Sequence, residues 1–412
     1  MPPEPRDLRV IQDLAREYAD VASWPQNDDR RELWRRHFSL EGTRPLVLCH
    51  LGDCRDEILG PDLQCEDPFL RQHEMVLREL LFHSTLHDDR VFEPCTMQRA
   101  VFNTQSNALW GPPIDCVPAP EAEGSWLFIP PIRELVDSSV LALPFHDIDY
   151  ETTRQQTYRL MEALGDRLTV HEDRTPLYSG LNADIATQLA RLRGPEQVMI
   201  DMVDNPAWLH EVLAFMRDGI LSVQAEAEAC GDYSLMSQQN QAMPYVRELP
   251  QPVPATHGDA RNRMWCFMAA QEFTSVSPGM HRQFLLDYQI PIMGRYGLVH
   301  YGGHEDLTGK IDMLRAIPNL RSIAVASSAD IRACAERIGA DYASSWRPDA
   351  TEMVCVGYDA EHIRRQIGEA LTHFRGCHLH IILKDIRTVQ SQPNRLRSWV
   401  RLVKEEIDRV WG

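Results

Sequence analysis

Short apolar runs alternate with amphipathic stretches along most of the chain, and their spacing sets the reading. Apolar runs bounded by turn-forming residues predict central strands at 46–51, 89–93, 167–171, 233–238, 264–270, 297–301, 321–326 and 379–384. "ADYASSW" (340–346) reads as a further strand. Helical patterns with clear starts lie between them: Asp67 before Pro68, Asn205 before Pro206, and Ser277 before Pro278. From residue 296 onward the alternation is most regular, and each of "YGLVHYGG", "LRSIAVASS" and "HLHIILKDI" runs into a helical pattern. The first 40 residues predict two amphipathic helices lying outside the sheet. Such alternation implies a parallel sheet with helical cover. No Gly-x-Gly-x-x-Gly turn follows a strand, which favours a closed barrel over a nucleotide-binding doubly wound sheet. The expected organisation is a helical extension over 1–43 and a TIM-type (β/α)8 barrel over 44–412. The stretch 103–150, rich in Pro, Gly, Trp and Asn, reads as a long covering loop.

Composition narrows the classes. The 412 residues are 43% hydrophobic and 25% charged, ordinary for a globular enzyme. A formal net charge of -18 opposes nonspecific binding to nucleic acid or anionic membranes. No run of 18 apolar residues occurs, and the charged, amphipathic "MPPEPRDLRVIQDLAREYADVA" fits neither a signal peptide nor a span. The expectation is a cytoplasmic protein without membrane or nucleic-acid partners. Ten cysteines without a Cys-x-x-Cys pair predict reduced, mostly buried thiols.

A barrel presents its reactive groups just past the C-terminal ends of its strands. That rule selects Asp53, Glu93, His171-Glu172-Asp173, Gln239, Gln271-Glu272, His304-Glu305, Ser327-Ser328, Trp346-Arg347 and Lys384-Asp385. In "YGLVHYGGHED" (296–306), Gly302 and Gly303 let the backbone approach a ligand while turning His304 and Glu305 over the mouth. An equally weighted reading is a plain glycine turn before a solvated helix, where Glu305 and Asp306 favour the dipole. Glu272 and Asp385 come from other strand ends and serve as acid, base or ligand. Lys384 beside Asp385 reads as an ion pair or as an anion-binding group. Trp346 and Arg347 read as a stacking ring and a carboxylate or phosphate anchor, or as a structural turn. His378 and His380, at a strand start, read as packing residues.

Several stretches carry a family resemblance. "WCFMAAQEFTSVSPGMHRQFLLDYQIPIMGRYGLVHYGGHEDLTGKIDMLRAIPNLRSIAVASSADI", "GADYASSWRPD" and "ILKDIRTVQSQPNRLRSW" resemble the uroporphyrinogen decarboxylase superfamily. "CEDPFLRQHEMVLRELL", "WGPPI" and "RGPEQVMIDMVDNPAWLHEVLAFM" match more loosely, so the likeness runs from about residue 44. It is similar to an uncharacterised bacterial branch related to corrinoid-linked, zinc-dependent methyltransferases. The resemblance implies a TIM-type barrel and a methyltransferase acting on a small molecule. A zinc ion at His300 and His304 and a corrinoid carried by a partner protein are further implications, and a homodimer is an open alternative. Catalytic roles fall on Glu272, Glu305, Lys384 and Asp385, and substrate contacts on Gln271, Trp346 and Arg347. The other reading is a decarboxylase or other lyase, with Arg347 and Lys384 holding a carboxylate. Two departures stand out. "LCHLGDCRDE" lacks the glutamine- and arginine-rich motif of the decarboxylase proper. Gly302 stands where a methyltransferase places the cysteine of its His-x-Cys zinc pair.

Overall fold

Ten strands form among the described residues, and the six of the larger sheet are buried at nearly every position. The computed structural model describes residues 4–117, 127–237, 243–355 and 357–411. The strands are β1 (Leu46–Cys49), β2 (Cys95–Arg99), β3 (Asp115–Val117), β4 (Leu127–Ile129), β5 (Thr169–Asp173), β6 (Trp265–Met268), β7 (Leu298–Tyr301), β8 (Leu320–Val325), β9 (Ala343–Trp346) and β10 (His378–Leu383). Six of them make one parallel sheet in the order β1-β10-β9-β8-β7-β6. β2 and β5 pair in parallel, and β3 and β4 form an antiparallel hairpin within the long loop. The two parallel sheets together supply eight strands, an arrangement compatible with a TIM-type barrel. The recorded ladders do not join β1 to β2 or β5 to β6.

Two expected strands differ. The chain at 88–89 does run beside β1, where the Asp89 amide donates to the Val47 carbonyl at 2.9 Å, but carboxylates take the neighbouring β1 amides. Asp89 Oδ2 accepts the Val47 amide at 2.8 Å and Asp88 Oδ2 the Cys49 amide at 3.1 Å. Arg44 and Lys404 hold Asp89 from outside, so the regular strand starts only at Cys95. Residues 233–237 form a turn instead of a strand. The Ser234 carbonyl accepts from the Ser237 amide at 3.0 Å, and its hydroxyl accepts from the Met236 amide at 3.1 Å. A serine that closes its own turn competes with sheet pairing. "ADYASSW" provides the β9 strand of the parallel sheet.

Alternation sorts the sheet into two buried faces, as parallel strands require. Val47, Val299, Ile323, Val325, Ile381 and Leu383 pack toward the covering helices in the largest apolar cluster. Leu46, Leu48, Leu298, Ala343 and Ile382 face the other way, against Trp34 and Phe38. Those two aromatics belong to helix Gln26–Phe38, which therefore fills the inner face near the strand starts instead of lying outside the sheet. Its His37 Nε2 meets His380 Nδ1 at 2.8 Å, so His380 is the packing residue its strand position implied. Among the described residues, no helix is long and apolar enough to cross a membrane.

Candidate functional site at the strand ends

The double glycine has a steric cause at each position. Gly302 sits at φ +108°, and a Cβ there would lie 2.8 Å from both Ala324 Cβ and Leu307 Cδ1. A Cβ on Gly303 would lie 2.6 Å from Gln271 Nε2 and 3.1 Å from Glu305 Oε2. The loops after β6 and β7 thus close on each other with no room for a side chain. Glu305 fastens them. Its Oε1 accepts the Ala270 amide at 2.7 Å and its Oε2 the Gly303 amide at 2.6 Å. Glu305 is buried, so it holds this backbone in place as well as lending charge.

Arg347 is the central cation. It is only 4% exposed, yet its hydrogen bonds go to uncharged acceptors: the carbonyls of Gly303 and Gly302 and His300 Nε2 (3.2 Å). Its Nε is buried without a partner. Burial pushes the guanidinium below its ordinary value. A guanidinium only donates, so His300 Nε2 must accept and its Nδ1 carries the proton toward Ser322 Oγ at 3.0 Å. Burial, with Arg347 adding to it, lowers His300 to about 3, a neutral imidazole stacked on Phe267.

Lys384 and Asp385 bring β10 to the same place. Lys384 Nζ lies 3.6 Å from Asp385 Oδ2, and burial followed by the Arg347 charge lowers the lysine. His304 Nε2 lies 3.0 Å from the same carboxylate oxygen. Burial acts to raise Asp385, but the His304 hydrogen bond and the Lys384 charge hold it below the ordinary carboxylate value. The His304 and Asp385 side chains are 46% and 56% exposed, so this pair meets solvent while Arg347 does not.

The expected residues divide accordingly. Gln271, His300, His304, Glu305, Arg347, Lys384 and Asp385 gather around the strand ends. Glu272 turns toward helix Ala186–Arg193, where one carboxylate oxygen is buried without a partner and burial raises its carboxyl. Trp346 points the opposite way from Arg347, into the helical layer against Phe374 at 6.2 Å, because consecutive strand residues face opposite sides. Gln239 lies outside the described residues. Two residues at the site escaped the sequence reading. His50, one residue past β1, is lowered by burial and then by Arg90, Lys384 and Arg347. Asp184 is fully buried and raised by burial and by Glu272. Its one signal was the Asp-x-x-Thr cap spacing: the Thr187 amide and hydroxyl donate to it at 2.9 and 2.8 Å. The next residue, Ile185, sits at φ 66°, a strained conformation for a β-branched side chain.

Zinc does not fit these residues. Both ring nitrogens of His300 are engaged, and His304 faces Asp385 across the mouth from it. Cys377 bonds to the Ala335 carbonyl at the start of β10, the far end of that strand. Among the described residues, no three His, Cys, Asp or Glu side chains are grouped to hold a metal ion. Buried Arg347 and partly buried Lys384 would also repel one.

No family model matches the sequence, and no curated protein matches it. Among solved structures, the chain is similar to a methyltransferase from Methanosarcina mazei. The TM-score is 0.53 at 11% identity, over 91% of this chain and 98% of that one. At that identity the likeness is one of fold.

Proposed function

We propose that the chain is a methyltransferase-type enzyme of the corrinoid-linked kind, acting on a small carboxylate-bearing substrate at the strand ends. Buried Arg347, with no carboxylate among its hydrogen-bond partners and one N–H unpaired, carries the substrate assignment. A buried guanidinium left in that state is stabilised by an incoming anion, and its fork matches a carboxylate. The fold shared with a methyltransferase supports the reaction class.

In this reading Arg347 and Lys384 grip the carboxylate, and Gln271 borders the reacting part. Glu305 keeps the two loops in register. His304, oriented by Asp385, takes or returns the proton of the group being methylated or demethylated. A corrinoid carried by a partner would supply or accept the methyl group, and the exposed His304–Asp385 side of the site leaves a partner access. The residues present fit no metal, so no step is assigned to one.

The same Arg347 favours a second reading, a carboxy-lyase in which the gripped carboxylate is lost. The experiment is one incubation of the purified protein with small carboxylates and either methylcobalamin or cob(I)alamin. Methyl transfer seen in the corrinoid spectrum supports the first reading. Release of carbon dioxide with an unchanged spectrum supports the second. Neither change, across a broad carboxylate panel, overturns both.

A further inference from the structure

Alternation carries nitrogen-bearing side chains from three adjacent strands onto one face. Around β1, Leu46 and Leu48 face inward while Val47, Cys49 and Leu51 face outward, so His50 points inward. In β10, Ile382 faces inward while Ile381 and Leu383 face outward, which turns Lys384 inward. Trp346 is outward in β9, so Arg347 is inward. The ladder sets their spacing. Cys49 pairs with Leu383, and the His50 amide donates to the Leu383 carbonyl at 2.8 Å. His50 and Lys384 therefore stand side by side, on strands about 4.8 Å apart. Trp346 pairs with Ile381, so Arg347 follows beside Ile382, one side-chain level below Lys384.

A guanidinium fixes the His50 ring. Arg90 Nη2 lies 3.4 Å from His50 Nδ1 and 3.0 Å from the Cys49 carbonyl. It only donates, so Nδ1 accepts and the proton of the neutral ring sits on Nε2. Burial, followed by the Arg90, Lys384 and Arg347 charges, keeps that ring neutral. Nε2 has no hydrogen-bond partner among the described residues, and it is not sealed from solvent. His300 is the opposite case. Arg347 takes its Nε2 and Ser322 faces its Nδ1, which leaves that ring nothing to offer a ligand.

We infer that His50 is a substrate-binding residue whose Nε2 proton meets an uncharged oxygen, and that the substrate is a small hydroxy or oxo acid. This rests on the carboxylate reading above, with Arg347 and Lys384 as the anchor, and adds a second polar group. A plain carboxylate leaves the His50 donor to water. An oxygen a few bonds from the carboxylate takes it, because His50 and Lys384 are neighbours on one face. What the site adds beside Lys384 is a neutral donor, which suits an uncharged oxygen better than a second carboxylate. Arg90 is the positioning residue, since it keeps the lone pair on Nδ1 and the proton on Nε2.

Calorimetric titration tests this with short hydroxy and oxo acids against unsubstituted carboxylates and dicarboxylates of equal length. At least one oxygenated acid should bind about fivefold or more tighter than its plain match, the ratio one hydrogen bond supplies. His50→Phe should bring that ratio to about one. His50→Gln, whose amide can donate in the same direction, should restore part of it, and thermal melting checks that both variants fold. Nitrogen–proton correlation spectra of histidine-labelled protein, with His50 assigned by its loss in His50→Gln, should show the proton on Nε2. Arg90→Met should move part of it to Nδ1, and a tautomer indifferent to that change overturns the role of Arg90. If carboxylates bind and the oxygenated acids bind no better, or a dicarboxylate outbinds them all, the uncharged oxygen is wrong and the carboxylate anchor stands. If the ratio survives His50→Phe, or the native ring carries its proton on Nδ1, the inference fails. If nothing in the series binds, both readings fall together.

Discussion

His304 Nε2 stands 3.0 Å from Asp385 Oδ2, and Asp385 reaches it from a left-handed backbone conformation, φ 58°. A non-glycine residue there costs about 1–3 kcal/mol unless the surroundings impose it. The surroundings here are Gly52, whose absent Cβ would lie 2.8 Å from the Ile386 amide, and the hydrogen bond from the Cys54 amide to the Ile386 carbonyl. The loops after β1 and β10 therefore clamp Asp385 beneath His304. An exposed ion pair alone is worth little, about 0–1 kcal/mol, so the clamp serves placement more than stability.

His304→Ala should accordingly lower turnover by about 10²-fold or more while shifting the melting temperature by less than about 2 °C. Turnover and melting are measured on the same preparation. A variant that melts early and turns over normally would show His304 to be structural.

The two glycines should separate cleanly. Gly302→Ala meets Ala324 and Leu307 and holds a left-handed φ, so a loss of roughly 1–3 kcal/mol in urea unfolding is expected. Gly303→Ala meets mainly the flexible end of Gln271, so it should fold nearly normally but bind carboxylates weakly. Adding Gln271→Ala to Gly303→Ala should restore part of that binding. Failure of the double variant to recover would place the defect in the Glu305 contact.

Trp346→Phe and Arg347→Lys, neighbours in sequence, should behave oppositely. The Trp346 change removes packing against Phe374 and should lower stability by about 1–2 kcal/mol with carboxylate affinity unchanged. Arg347→Lys keeps the charge but loses the fork, and should weaken carboxylate binding about tenfold or more. Equal effects of both on affinity would return Trp346 to the site.

Acid should unfold the protein early. Burial lowers His37, His281 and His300 to about 3 and His171 to about 4. The unfolded chain takes up these protons near the ordinary imidazole value of about 6.5, where the folded chain does not. Stability is therefore complete above that range and falls as pH drops below it. The loss is up to about 1.4 kcal/mol per pH unit for each histidine. Urea midpoints from pH 7.5 down to 5 measure the slope, and His281→Gln should flatten it. A midpoint that does not move between those values would contradict the buried, neutral assignment.

Periodicity made most of the sheet legible, because β1, β6, β7, β8 and β10 carry apolar runs that only a two-sided burial explains. It misled at 89–93 and 233–238. There aspartates and serines take over the backbone bonding, a substitution invisible in an apolar count. Strand-end logic picks out Arg347, Lys384, Asp385, His304 and Glu305, which the fold does place at the strand ends. It grouped Trp346 with Arg347 although alternation alone separates them. Asp184 and His50 were missed for different reasons. Asp184 lies in an irregular loop far past β5, and its importance comes from what it faces. His50 falls within the expected strand 46–51, and only packing reveals the cations around it.

Helix Gln26–Phe38 gives the interior a direction of traffic. With Trp34, Phe38 and the His37–His380 contact stoppering the strand starts, the proposed substrate could reach Arg347 only from the strand ends. Arrival and departure share that doorway. In the proposed reading a lingering product would then block the next substrate, and its release would be the step that a corrinoid partner over His304 and Asp385 governs.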